Sequence, residues 1–304
     1  MPFAQLGDVR VFFTDDPPAA ADREPRATLL LVHGYGADSD DWVFHLPGLG
    51  RRHRIVAPDL RGHGLSSAPG TGYAPGDLAG DLVRLLDHLG VTEPVVAIGH
   101  SLGAMVVSAL AVERPGRVRA LVCVDPAYGQ SPEVAAAFPA MYAGLRSGDP
   151  FPTALANEDW CHTPASPPWL LAWHRRKIRA TAPQALAEAF PAMYEGDAAF
   201  GLRPHGDAYL ARRACPVLSC WSDAQAGSAA WERGLFRHPA SRAEVWPGGG
   251  HRLHAERPAE FTLVVRRWLD GLDRTPRTPP DGMVTGSVPP SSASPSSVPT
   301  EPAR

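Results

Sequence analysis

Short apolar runs recur along the chain with room for a helix between most of them: TLLLV (28–32), RIVAP (54–58), VVAIG (95–99), ALVCV (120–124), PVLSCW (216–221) and AEVW (243–246). Runs that are apolar on both faces suit strands covered on both sides, as in a parallel sheet. The intervening segments carry the helical period instead. GDLAGDLVRLLDHLG (76–90) sets Leu78, Leu82, Leu85, Leu86 and Leu89 on one face and stops at Gly90. SLGAMVVSALAVERPG (101–116) is a second helix, closed by Pro115 and Gly116. RPAEFTLVVRRWLDGL (257–272) gathers Phe261, Val264, Val265 and Trp268 on one side. The alternation predicts an α/β fold, a mostly parallel sheet flanked by helices.

Between residues 126 and 213 the alternation fails. Pro, Ala and aromatic residues dominate, Trp160, Trp169 and Trp173 among them. This predicts an inserted helical cap over 126–213, with the core made from 1–125 and 214–273. An octapeptide nearly repeats inside the insertion, AFPAMYAG (137–144) and AFPAMYEG (189–196), and no function is read from it. Residues 274–304 are mainly Pro, Ser and Thr with little apolar surface to bury, the composition of a disordered tail.

Composition narrows the function classes. The chain has 304 residues, 44% of them apolar, enough for a substantial core. Its 29 basic and 32 acidic residues leave a net charge of −3 with no long run of one sign. That balance argues against a binder of nucleic acid or of membrane surfaces. The opening MPFAQLGDVRVFF has no basic segment followed by an apolar one, and no apolar run nears the roughly 18 residues of a membrane span. Cys123, Cys161, Cys215 and Cys220 lack C-x-x-C spacing. A cytoplasmic protein without disulfides is the expectation.

The chemistry centres on VVAIGHSLGAMVV (95–107), where a strand runs through Gly-His-Ser-Leu-Gly directly into a helix. Gly99 and Gly103 allow the sharp turn of a nucleophile elbow, which exposes the Ser101 hydroxyl above the sheet at a helix N-terminus. In LLLVHGYGADSDDW (29–42) a glycine-flexed loop can aim the Tyr35 amide at a developing oxyanion, opposite the Leu102 amide. APDLRGHGLSS (57–67) contains Asp59, Arg61 and His63, which suit a loop of defined backbone shape better than a reaction centre. The patterns H-G-x-G, D-x-R-G-x-G-x-S and G-H-S-x-G together resemble the α/β-hydrolase superfamily across nearly the whole folded body.

That resemblance implies the order nucleophile, acid, histidine. EVWPGGGHRLHAERPAEF (244–261) then makes His251, directly after the glycines, the base, with His254 the alternative. In most members the acid follows the strand equivalent to PVLSCW, where this chain has Gln225 and, two residues early, Asp223. A neutral amide cannot stabilise an imidazolium. A second location exists at the end of the strand after the nucleophile helix, as in some haloalkane dehalogenases and a fungal zearalenone lactonase that carry Glu there. Asp125 stands at that place and is the expected acid, Asp223 the alternative.

The resemblance therefore implies a serine hydrolase that cleaves a small, largely apolar ester or lactone, with Ser101, His251 and Asp125 as its triad. It implies no metal and no organic cofactor, and a small-molecule substrate rather than nucleic acid or membrane. A cofactor-free haloperoxidase and a carbon–carbon bond hydrolase share the same triad. A non-catalytic receptor for a small ligand is the reading from a different class, to which Gln225 points and against which Ser101 and His251 argue.

Overall fold

The computed structural model describes residues 2–19 and 25–274. Among these residues eight strands form one sheet: β1 (Phe3–Leu6), β2 (Val9–Asp16), β3 (Thr28–Val32), β4 (Arg54–Pro58), β5 (Val95–His100), β6 (Val118–Val124), β7 (Val217–Ser222) and β8 (Arg242–Trp246). Their spatial order is β1-β2-β4-β3-β5-β6-β7-β8. The first two strands are antiparallel additions at one edge, and the other six run parallel. Every residue of β5 and of β7 is buried, which explains their mainly apolar character. The sequence reading placed no strand before residue 28. In β2, buried Val9, Val11 and Phe13 alternate with Arg10, Phe12 and Thr14, the pattern of a strand with one covered face.

Among the described residues twelve α-helices accompany the sheet: α1 (Leu46–Leu49), α2 (Pro75–His88), α3 (Leu102–Glu113), α4 (Pro132–Ala135), α5 (Phe138–Leu145), α6 (Phe151–Trp160), α7 (Pro168–Ala180), α8 (Pro183–Ala192), α9 (His205–Leu210), α10 (Ala226–Arg233), α11 (Leu253–Glu256) and α12 (Pro258–Arg274). All of α3 except Glu113 is buried, as expected of a helix apolar all round. It packs on one sheet face with Leu78, Leu82, Leu85 and Leu86 of α2. On the other face Phe261, Val265 and Trp268 of α12 meet Trp42, Leu29, Leu31 and Ile98. The tail expected over 274–304 begins one residue too early, since Arg274 closes α12, and its remaining residues, 275–304, lie outside the described residues. Among the described residues no helix is long and apolar enough to cross a membrane.

Two features of this topology position a site. The chain leaves β3 for β4 on one side and returns to β5 on the other, so a crevice opens at the C-terminal ends of β3 and β5. Helices α4 to α9 all fall between β6 and β7. Several of them wall a cavity that reaches those strand ends.

Candidate active site

Ser101 joins β5 to α3 at φ 52° and ψ −115°, a conformation that costs a non-glycine residue about 1–3 kcal/mol. Its neighbours make the turn possible. A Cβ at Gly99 would overlap the Gly103 carbonyl, and one at Gly103 would overlap the Val32 carbonyl. The Ser101 amide donates to Val124 O at 2.9 Å, tying the elbow to the end of β6.

Asp125 follows β6 at φ 35°, and with Ser101 it is one of two non-glycine residues at positive φ among the described residues. It is buried, its amide donates to Cys220 O at 2.7 Å, and its Oδ1 accepts from the Ser222 amide at 2.7 Å. Its other oxygen, Oδ2, accepts a hydrogen bond from His251 Nδ1 at 2.7 Å. With Nδ1 as the donor, Nε2 keeps its lone pair and is the nitrogen free to act as a base. The His251 carbonyl in turn accepts from His100 Nε2 at 2.9 Å, so the loop carrying the base is pinned to the residue before Ser101.

The alternatives lie elsewhere. Asp223 is exposed, and its Oδ2 accepts from the Gly248 amide at 2.5 Å. Gln225 Oε1 accepts from Gln130 Nε2 at 3.4 Å. His254 is fully buried between Trp42 and His100, with ring centroids 4.9 and 4.6 Å away, and burial drives its pKa far below the ordinary histidine range. It does not reach the cavity, whereas Ser101, Asp125 and His251 all line it.

The loop after β3 brings Tyr35 to the same cavity. Its hydroxyl donates to Leu186 O at 2.8 Å, and burial raises that hydroxyl far above the usual tyrosine range, so the phenol is structural. Among the described residues neither the Tyr35 nor the Leu102 amide has a backbone acceptor. Leu102 is the first residue of α3, where amides are unpartnered by geometry. The Asp59 loop serves shape. Asp59 accepts from the Ser39 and Leu65 amides at 2.8 Å, and Arg61 forms a two-point pair with Asp81 at 2.7 and 2.8 Å.

The residue after the base anchors a buried ionic network that the sequence did not reveal. Arg252 bonds Glu158 of α6 through Nε at 2.9 Å and Nη2 at 2.5 Å. Glu158 also accepts from His162 Nε2 at 2.8 Å, and Asp41 accepts from His174 Nε2 of α7 at 3.2 Å. Lys177 of α7 pairs with Asp38. Burial would raise the Glu158 carboxyl, but Arg252 and His162 outweigh it and hold the pKa down at about 2. Two groups here carry metal-type donors, Asp41–His100–His254 and Glu158–His162–His174, each with its donor atoms within 4.8 Å of one another. In both, the carboxylate charge is matched by Arg252, whose Nη1 lies 3.7 Å from Asp41 Oδ2. They are better accounted for as ion-paired packing than as metal centres.

Residues 27–155 match the α/β-hydrolase fold family. A thermophilic esterase from Thermogutta terrifontis superposes with a TM-score of 0.72 at 27% identity, over 88% of this chain and 96% of its own. The chain belongs to the α/β-hydrolase superfamily. Among curated proteins, this α/β-hydrolase chain is 40% identical over 124 residues to the dihydrolipoyllysine-residue acetyltransferase component of the acetoin cleaving system of Cupriavidus necator, covering 41% of this chain and 31% of that one. It is 32% identical over 144 residues to a soluble epoxide hydrolase of a Corynebacterium species, covering 43% and 45%. The chain thus spans less than half the length of these curated relatives.

Proposed function

We propose that this α/β-hydrolase is a serine hydrolase acting on a small ester or lactone through an acyl-enzyme intermediate. The observation that carries the reading is the 2.7 Å contact of His251 Nδ1 with Asp125 Oδ2, on one cavity wall with Ser101. The Ser101 hydroxyl attacks the carbonyl carbon as its proton passes to His251 Nε2, and the Asp125 carboxylate stabilises the imidazolium. The Tyr35 and Leu102 amides receive the oxyanion. Collapse of the tetrahedral intermediate breaks the bond to the alcohol oxygen, which takes the proton back from His251. Water, deprotonated by the same nitrogen, then attacks the acyl carbon and releases the acid and Ser101. The helices between β6 and β7 act as the cap, enclosing a cavity of about 1300 Å³ over these groups.

A fluorophosphonate probe tests the nucleophile. One label is expected on the wild type and none on Ser101→Ala, with loss of p-nitrophenyl acetate and butyrate hydrolysis in the same variant. Labelling that survives the substitution would overturn the reading.

A further inference from the structure

The cavity has two unlike walls. One is built by the octapeptide repeat. Its two copies pack against each other, with Phe138 ring centroids 4.5 Å from Tyr194 and 5.7 Å from Phe190, and Tyr142 6.3 Å from Phe190. Together they turn Phe138, Met141, Phe190, Met193 and Tyr194 toward the cavity, an apolar surface for a hydrocarbon portion of substrate.

A second, polar lip of the cavity holds Gln130, Arg203, Gln225 and Ser228, which contact one another. Arg203 lies over the Trp231 ring at 4.3 Å, and its Nη2 donates to Ser228 Oγ at 3.0 Å. Its backbone is tied to the same lip, with the Arg203 amide donating to Gln130 O at 3.1 Å. Among the described residues no carboxylate lies within ion-pair distance of it; Asp207, the acid that acts on it electrostatically, accepts instead from Trp231 Nε1 at 3.1 Å, neither Nε nor Nη1 of Arg203 has an acceptor, and Nε is shut off from solvent. The other charges of the lining are accounted for differently. Arg252 is held by Glu158 and Asp125 by His251. Asp223 and Glu133 are both exposed, and Asp223 accepts from the Gly248 amide.

Resting on the serine-hydrolase reading, we propose that Arg203 is a specificity residue whose missing counter-ion is an anionic group on the substrate, so that the enzyme takes esters or lactones bearing a carboxylate beyond an apolar segment. The physical basis is the fork of guanidinium donors, which matches a carboxylate at two points, on an arginine already oriented by an aromatic face and a hydroxyl. Ordering an arginine beforehand removes part of the entropy that a flexible cation loses on binding.

The experiment compares kcat/KM for p-nitrophenyl half-esters of glutarate, adipate and suberate with uncharged p-nitrophenyl esters of matched length. The expected result is at least a tenfold preference for one of the half-esters. Arg203→Met is expected to collapse that ratio toward one, mainly through KM, and Arg203→Lys to restore part of it. Binding is read separately, by calorimetry of monomethyl adipate with Ser101→Ala protein and with the Ser101→Ala, Arg203→Met double variant. Saturable binding weakened about tenfold by the second substitution supports the proposal even if no ester proves to be a good substrate. Hydrolysis of both series without preference, or a ratio and an anion affinity that Arg203→Met leaves unchanged, overturns it and leaves the Ser101 chemistry standing. Loss of label at Ser101 with intact anion binding would instead remove the hydrolase reading alone.

Discussion

The strand ends and the helical insertion are held in place by different forces. At the strand ends the main chain does the positioning. Ser101 and Asp125 sit at positive φ on neighbouring strands, and hydrogen bonds from Ser101 to Val124, Asp125 to Cys220 and Ser222 to Asp125 lace β5, β6 and β7 together. The insertion is seated by side chains and a few loop contacts: Arg252 on Glu158, His174 on Asp41, Lys177 on Asp38 and Tyr35 on Leu186. The contrast teaches that the reaction geometry is built into the sheet, while the walls of the cavity depend on charges paired across long stretches of sequence.

The sharpest way to break this picture is Asp125→Asn. The fold is expected to persist, since the amide can still accept from Ser222, but the imidazolium loses its counter-charge. A fall of about 10⁴ in kcat is expected by analogy with serine proteases. Asp223→Asn, tested beside it by the same ester assay, is expected to stay close to wild type. If the two variants ranked the other way, the acid would lie on β7 and the strand-end account would fail.

Next in size is the seat of the insertion. Arg252→Met takes the guanidinium from the buried Glu158 and Asp41 and leaves them only His162, His174 and Lys177, a change expected to cost about 3–5 kcal/mol in urea unfolding. A loss below about 1 kcal/mol would mean that apolar packing, not the ion pair, holds the helices to the core.

The smallest effect per group and per pH unit is acid sensitivity, which belongs to the sheet side. Burial lowers the pKa of His45 to about 4 and of His63 to about 3, and lowers those of His100 and His254 well below the ordinary value. The folded protein keeps these rings neutral while the unfolded chain takes up protons near pH 6.5. Stability is therefore full above pH 6.5 and is lost as the pH falls toward the folded values, by about 1.4 kcal/mol per pH unit for each histidine within its window. A melting temperature that stayed flat from pH 7 to pH 5 would contradict this.

What could be read from the chain follows the same division. The elbow is a local pattern: a strand, a turn residue with a steric reason, a helix; the roles of His251 and Asp125 are instead what the family resemblance implies. The six parallel strands and the apolar face of α2 are periodicities of one segment, legible for the same reason. The strands β1 and β2 were passed over because an edge pair shows alternation broken by Phe12, not a continuous apolar run. Arg252 and Glu158 are separated by 94 positions, and nothing in either local pattern names the other. Arg203 stood out even less, since an unpaired arginine becomes visible only once the acids around it are located. The octapeptide repeat was plain in the sequence, but its meaning as two facing halves of one wall required the fold.

Placing the acid on β6 has a consequence for how this site can change. On the proposed assignment of Asp125 the turn after β7 carries no proton-transfer duty, and Gln225 there shares a lip with Arg203 through Gln130. A carboxylate at position 225 would add a second anion to that lip and compete for the guanidinium. With an uncharged side chain in its place, the selectivity proposed for Arg203 and the relay proposed for Ser101, His251 and Asp125 sit on separate segments, so the β7 turn can be varied to retune what enters without touching that relay.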